Sequence, residues 1–340
     1  MFLKPLLGLV FNSQKFNATF MDWYYHILKK EALFKLERIS MSNAFKNRLV
    51  KIAISISFFL VTAYIGISVT AAHFLSAPKR IFDPKASSAF NTIPQDIRFL
   101  SADGVQIAGW FVPSNVSNKT IILVHGMNSS RTLEFDGHFP EFGAALQKEG
   151  FSVLMIDLRG HGQSDDARFT FGLTERRDVI GAVNWLKSKG YKSKNIGVLG
   201  VSMGAATAIG AAADTPDIGA LVVDSGYAQV YPVMQHNWRN VSGLPDIFLP
   251  STMMFGSWLT GYDLNSSKPV NEIGRIAPRP ILIVHSVSDP FIPVSQAYEL
   301  KAAAAADYWE TSAAKHPESY KANPDTYIRR VSNFFRQSLQ

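Results

Sequence analysis

A serine with a glycine two residues to either side, Gly200-Val201-Ser202-Met203-Gly204, is the feature of this sequence best suited to covalent chemistry. A serine hydroxyl is a weak nucleophile until a base removes its proton. It must also be lifted clear of its surroundings. A strained strand-to-helix turn does this, and the two glycines remove side chains that such a turn would drive together. The flanks fit: the apolar run Ile196–Leu199 precedes the motif, and the small residues Ala205-Ala206-Thr207-Ala208-Ile209 follow it. A helix starting there would favour negative charge developing at its N-terminus. A base and an acid stand downstream, serine, then acid, then histidine, the order expected of a fold that carries such a turn. Asp289 lies just past the apolar run Ile281–Val284, in a loop held by Pro290 and Pro293, and His316 follows the last strand candidate. His316 would take the serine proton and return it to the leaving group, while Asp289 would hold the imidazole tautomer and stabilise its cation.

The remaining polar residues at strand ends compete for these roles. Asp224 also follows an apolar run and is the alternative acid. Of the eight histidines, only His316 follows both Ser202 and Asp289. His138, His236 and His285 lack the position for the base, and His161 reads as structural within Asp157-Leu158-Arg159-Gly160-His161-Gly162-Gln163-Ser164. An anionic intermediate needs aimed N–H donors. The N–H of Met203, next after the serine, is one candidate. The other is Met127, in His125-Gly126-Met127-Asn128, where Gly126 lets the backbone turn inward and His125 reads as a brace.

The elements that must position these residues are legible from their patterning. Ile97–Leu100 and Val105–Phe111 alternate about Ala102-Asp103-Gly104, a hairpin signal. Thr120–Val124, Ser152–Ile156, Ile196–Leu199, Ala220–Val223 and Ile281–Val284 are short apolar runs, each followed by a helical pattern, with a weaker last strand at Asp307–Ser312. Near-continuous apolar strands suit a parallel sheet covered on both faces, with ligands bound at the strands' carboxyl ends. The 56 residues between Asp224 and Ile281 are long for a connection. They are rich in aromatic and apolar side chains, so an insert at about 225–276 is expected to cover the serine as a lid.

The chain has 340 residues, 47% hydrophobic and 18% charged, a globular composition that excludes a disordered or collagen-like chain. With no cysteine there is no disulfide, cysteine metal site or thiol nucleophile. The net charge of +7 is local: residues 1–51 hold 9 Lys and Arg against 3 Asp and Glu, so the rest is close to neutral. No basic face for nucleic acid is apparent. The 27 residues between Lys51 and Lys79 carry no formal charge. The expected organisation is a basic segment at 1–51, a transmembrane helix at 52–75, a linker at 76–95 and a catalytic domain at 96–340. The basic flank favours a cytoplasmic N-terminus with the domain on the outer side. Phe16, Phe20, Trp23, Ile27 and Phe34 have a helical spacing that suits an interfacial helix, with translation from Met41 as the alternative.

Taken together, His125-Gly126, the Asp157–Ser164 motif, the serine motif, Asp289-Pro290-Phe291-Ile292-Pro293 and His316-Pro317 resemble the α/β-hydrolase superfamily over residues 96–338. Within it the chain is similar to membrane-anchored α/β-hydrolase domain proteins. The resemblance implies an α/β fold with a mostly parallel eight-stranded sheet, a Ser202–Asp289–His316 triad and no cofactor. Glu318 and Tyr320 are expected to line the site. The expected activity is hydrolysis of carboxylic esters or thioesters, on a small-molecule or lipid acyl substrate. A peptidase or amidase, and a non-catalytic tethered binding module, are the alternatives.

Overall fold

The computed structural model describes residues 42–313 and 315–340; the proposed interfacial helix before Met41 lies outside them. The first element is the helix α1, Asn43–Leu75. At 1.5 Å per residue its 33 residues extend about 50 Å, against about 30 Å of bilayer hydrocarbon. It begins nine residues before the uncharged run, taking in Lys46, Arg48 and Lys51. Within it Phe59 and Leu60 are among the large apolar side chains left exposed. A helix polar on neither face and exposed in mid-length has the composition of a membrane span.

The chain divides into two compact units, the second running from Ser68 to Gln340. Here α1 ends on the body of the protein. Ser68, Ala72 and Ser76 recur at four-residue spacing and are buried. Arg168 donates from Nη1 to the His73 carbonyl at 2.9 Å and to Ser76 Oγ at 2.8 Å, a cation at the negative end of the helix.

Eight strands follow: β1 (Gln95–Leu100), β2 (Gln106–Val112), β3 (Thr120–Val124), β4 (Ser152–Ile156), β5 (Ile196–Val201), β6 (Ala220–Asp224), β7 (Ile281–Ser286) and β8 (Asp307–Thr311). Their order is β1-β2-β4-β3-β5-β6-β7-β8, with β2 antiparallel to both neighbours and the rest parallel. This is the parallel α/β sheet expected from the patterning, with the eight strands that the resemblance implies.

Alternate side chains of a strand go to opposite faces. In β3, Ile122 and Val124 join one core and Ile121 and Leu123 the other. The first core is covered by α3 (Arg176–Ser188) and α4 (Met203–Asp214), the second by α2 (Phe139–Lys148) and α9 (Pro324–Ser338). Between β6 and β7 lie α5 (Val230–Ser242), α6 (Leu249–Thr260) and four short 3-10 turns. Val230, Val233, Met234, Trp238, Leu249 and Met253 of this insert are buried in the first core. After β7 come α7 (Val294–Ala303) and, beyond β8, the single turn α8 (Ser319–Ala322).

Residues 76–95, expected as a linker, are held to the body at a few points though most of their side chains are exposed. Phe90 is buried in the second core, and Phe82 stacks edge-on against Trp110 at 5.7 Å. The reason is chemical: two aromatic rings in a short connection find apolar holes rather than stay in water.

Candidate active site

Ser202 stands between β5 and α4 with φ 55° and ψ −119°, a strained conformation for a residue with a Cβ. The turn is held because the Ser202 N–H donates to the Asp224 carbonyl at 2.9 Å and its own carbonyl accepts from Ala205 at 3.0 Å. Both flanking glycines are required by close approach. A Cβ on Gly200 would strike the Gly204 carbonyl, and one on Gly204 the carbonyls of Val124 and His125. Met203 is the first residue of α4, so its N–H has no partner within the helix and faces the region ahead of it.

His316 lies 2.8 Å from Ser202 Oγ through Nε2 and 2.6 Å from Asp289 Oδ2 through Nδ1. A carboxylate only accepts, so Nδ1 carries the proton and Nε2 is left to accept the serine proton. Asp289 is fixed in turn. Its Oδ1 accepts from the N–H groups of Phe291 at 2.8 Å and Ile292 at 2.9 Å. Burial pushes this carboxyl up, but His316 and the two N–H groups outweigh it and hold the group below the usual carboxylate range. Phe291 stacks on the imidazole, centroids 5.3 Å apart.

Asp224, the competing acid, is turned to a different task. Its Oδ2 accepts from Tyr327 Oη at 2.6 Å and its Oδ1 from Ser225 Oγ at 2.9 Å. It is fully buried, and burial pushes it up to about 6. Tyr320 also departs from expectation. Its ring stacks on Phe135 at 5.3 Å within the second core, and Glu318 lies near Lys321 and Lys315. Pro317 lines the cavity in their place.

The loop after β3 is clamped from both sides. His125 Nε2 accepts from the Leu158 N–H at 3.0 Å, so Nδ1 bears the proton and donates to the Gly126 carbonyl at 2.7 Å. In a trans peptide the carbonyl and the following N–H point opposite ways, so the Met127 N–H is turned away from His125, and Met127 lines the cavity at Ser202. A Cβ on Gly126 would lie only 3.0 Å from Ser202 Cβ, which shows how near the loop comes. The Gly126 N–H is held by Glu134 Oε2 at 2.5 Å. His161 Nε2 accepts from the Asn128 N–H at 3.2 Å while Nδ1 donates to the Arg159 carbonyl at 3.0 Å. Burial pushes both histidines down, His125 strongly, so both are neutral braces. Asp157 closes the network, accepting from the N–H groups of Arg131 at 2.9 Å and Gln163 at 2.8 Å and pairing with the Arg131 guanidinium.

Two residues of the site carry no sequence signal. Glu134 holds the Gly126 N–H from a turn whose next two residues, Phe135 and Asp136, both take φ 55°, which non-glycine residues rarely do. His285 donates from Nε2 to the Ile292 carbonyl at 2.9 Å and so pins the loop that holds Asp289. Only its place four residues before the acid hints at this.

Two cavities meet at Ser202. One is an open bowl of about 310 Å³ lined by Gly126, Ser129, Glu134, Asp136, His316 and Pro317 among others. The other is a cleft of about 20 Å³ with apolar walls, including Phe171, Tyr227, Val230, Val233 and Met234.

Comparison with known proteins agrees with this fold. Residues 116–254 match the family described as serine aminopeptidase, S33. The chain is 31% identical over 295 residues to the uncharacterized protein YqkD of Bacillus subtilis, covering 81% of this chain and 94% of that one. It is 24% identical over 253 residues to YfhR of Escherichia coli K12, covering 72% and 79%. Among solved structures, the Pyrococcus furiosus esterase Pf2001 superimposes with a TM-score of 0.61 at 28% identity, over 77% of this chain and 100% of that one. Strand order, strained serine turn and relatives together place the chain in the α/β-hydrolase superfamily.

Proposed function

We propose that this protein is a membrane-anchored serine hydrolase of carboxylic esters or thioesters. The observation that carries the reading is the unbroken chain Ser202 Oγ–His316–Asp289 at 2.8 and 2.6 Å. Ser202 attacks the substrate carbonyl as His316 takes its proton. The N–H groups of Met203 and Met127 receive the oxyanion. His316 then protonates the leaving oxygen or sulfur, and water attacks the acyl-enzyme by the same route. The esterase among the structural relatives favours an ester. The family description favours an amide instead, and the same triad would cleave one if the site protonates an amine. The helix α1 anchors the enzyme, with the basic N-terminal side in the cytoplasm. The α5–α6 insert forms the lid over the first core, and tethering beside a bilayer suits a lipid or acylated substrate.

The test is labelling with a fluorophosphonate probe, on the full chain in detergent or lipid, for wild type and Ser202→Ala. Labelling is expected in the wild type and absent from the variant. A folded wild type that does not label, with or without lipid, refutes the reading. Protease access to the body in intact and permeabilised cells tests the orientation.

A further inference from the structure

The two cavities at Ser202 are not equivalent, and the chemistry of the triad tells them apart. The leaving group must lie beside the residue that protonates it, which is His316. His316 and Pro317 line the bowl of about 310 Å³, while neither lines the cleft of about 20 Å³. The acyl chain, on the other side of the attacked carbon, is therefore left with the cleft. We propose that the enzyme takes an ester with a very small acyl group, acetyl or propionyl, on a bulky leaving group, so that it acts as a deacetylase-like esterase. This rests on the serine hydrolase reading above and assigns its substrate class.

Size decides it. A water-sized group needs about 10–15 Å³ of such space, so about 20 Å³ holds a methyl and little more. The walls are not a loose cover. Val230, Val233, Met234, Tyr227, Phe171 and Ile292 are each no more than 7% exposed and belong to the first core. Tyr227 Oη donates to the Phe171 carbonyl at 2.9 Å. Asn237 Nδ2 donates to the carbonyls of Val233 at 2.9 Å and Phe291 at 2.7 Å, tying α5 to the acid loop. A longer chain has to displace packed side chains, and each methylene that does not fit costs about tenfold or more in kcat/KM. The bowl is open and has polar groups at Ser129, Glu134 and Asp136, so it tolerates a large, hydroxylated or amine-bearing leaving group.

The bonds balance without a co-reactant. Ser202 Oγ bonds to the acetyl carbon, its proton passes through His316 to the departing alkoxide, and the carbon–oxygen bond to that alcohol breaks. Water then adds, and acetate and the free serine result.

The experiment uses two isomers, hexyl acetate and ethyl hexanoate, with the full chain in detergent and a pH-stat readout. They have the same formula and similar leaving groups but exchange the small and large sides. Hexyl acetate is expected to be cleaved at least 100-fold faster. p-Nitrophenyl acetate against p-nitrophenyl hexanoate repeats the comparison at one leaving group. Met234→Ala, which opens the cleft, should raise the relative rate on hexanoate at least tenfold. If Met234→Ala fails to fold, the wild-type ratios alone decide. Equal rates, a preference for the hexanoates, or labelling of Ser202 without cleavage of either acetate overturns the inference. Loss of both labelling and cleavage is instead the failure of the serine hydrolase reading.

Discussion

Replacing Asp289 by Asn tests the triad more sharply than deleting it, because the structure dictates how the amide must sit. Oδ1 of Asp289 accepts two backbone N–H groups, from Phe291 at 2.8 Å and Ile292 at 2.9 Å. An Asn Nδ2 placed there would face two donors, at a cost of about 1–3 kcal/mol for each buried group left without a partner. The Asn oxygen must therefore take that position, and its NH₂ must face His316 Nδ1, now at the 2.6 Å site of Oδ2. Two donors cannot meet, so the imidazole gives up its Nδ1 proton and carries it on Nε2 instead. That nitrogen lies 2.8 Å from Ser202 Oγ and can no longer accept the serine proton. The geometry survives and the base is lost. For a triad of this kind the expected fall in kcat is about 10⁴-fold, or roughly 5.5 kcal/mol in the barrier. The assay is steady-state hydrolysis of p-nitrophenyl acetate, with Ser202→Ala as the floor and a thermal melt to show that the fold is kept. If Asp289→Asn retains more than about a tenth of wild-type kcat, the tautomer argument is wrong. Asp224→Asn should then be tried as the true acid.

Other outcomes follow from the same contacts. Glu134→Ala frees the Gly126 N–H and misaims the Met127 donor, so kcat should fall roughly 10- to 100-fold with KM little changed, since the donor acts mainly on the transition state. Glu134→Gln keeps an acceptor and should recover most of that loss; equal losses in both variants would refute the clamp. Gly126→Ala would place a Cβ 3.0 Å from Ser202 Cβ and 3.3 Å from Glu134 Oε2, and should lower kcat/KM at least tenfold. Asp224 has its folded pKa raised to about 6, above about 3.9 unfolded, so the folded state holds its proton more tightly. Its contribution to stability is present below about pH 4 and is lost as pH rises to about 6. Tyr327→Phe removes a donor to the ionised form and should destabilise by about 1–3 kcal/mol at pH 8 and by less at pH 5, read from denaturant melts at both. An equal loss at both pH values would show that Asp224 does not change its charge between them, against a value of about 6.

What was legible in the sequence was what periodicity and local spacing encode. The strand runs ending at Val124, Ile156 and Val284 end within two residues of β3, β4 and β7. The reason is that a parallel strand buried on both faces has to be apolar throughout and stops where polar loop residues begin. Ser202 and Asp289 were legible because each follows such a strand, His316 because it follows the weaker, part-exposed β8, and the structure brings all three within hydrogen-bonding reach. The supports around them were not. Glu134 meets Gly126 across a loop that runs on into two successive left-handed residues with ordinary side chains, Phe135 and Asp136, which no turn rule anticipates. Phe82 and Phe90 read as linker because their partners, Trp110 and the second core, are distant in sequence.

The histidines show the same division in one residue type. Four of them lie at the site, and chain order singled out His316 as the candidate base. It could not say what each brace holds, since that depends on which backbone groups the fold presents. His125 faces a carbonyl and an N–H from two different loops, and His161 likewise. His285 supports the acid by holding the Ile292 carbonyl rather than by touching substrate. Burial pushes these three down and so favours their neutral form. A charged brace beside the oxyanion loop would change the field at the serine with every titration. Buried neutral imidazoles give the same hydrogen bonds without that coupling, which is a physical reason for a hydrolase to surround one working histidine with three that do not titrate with it.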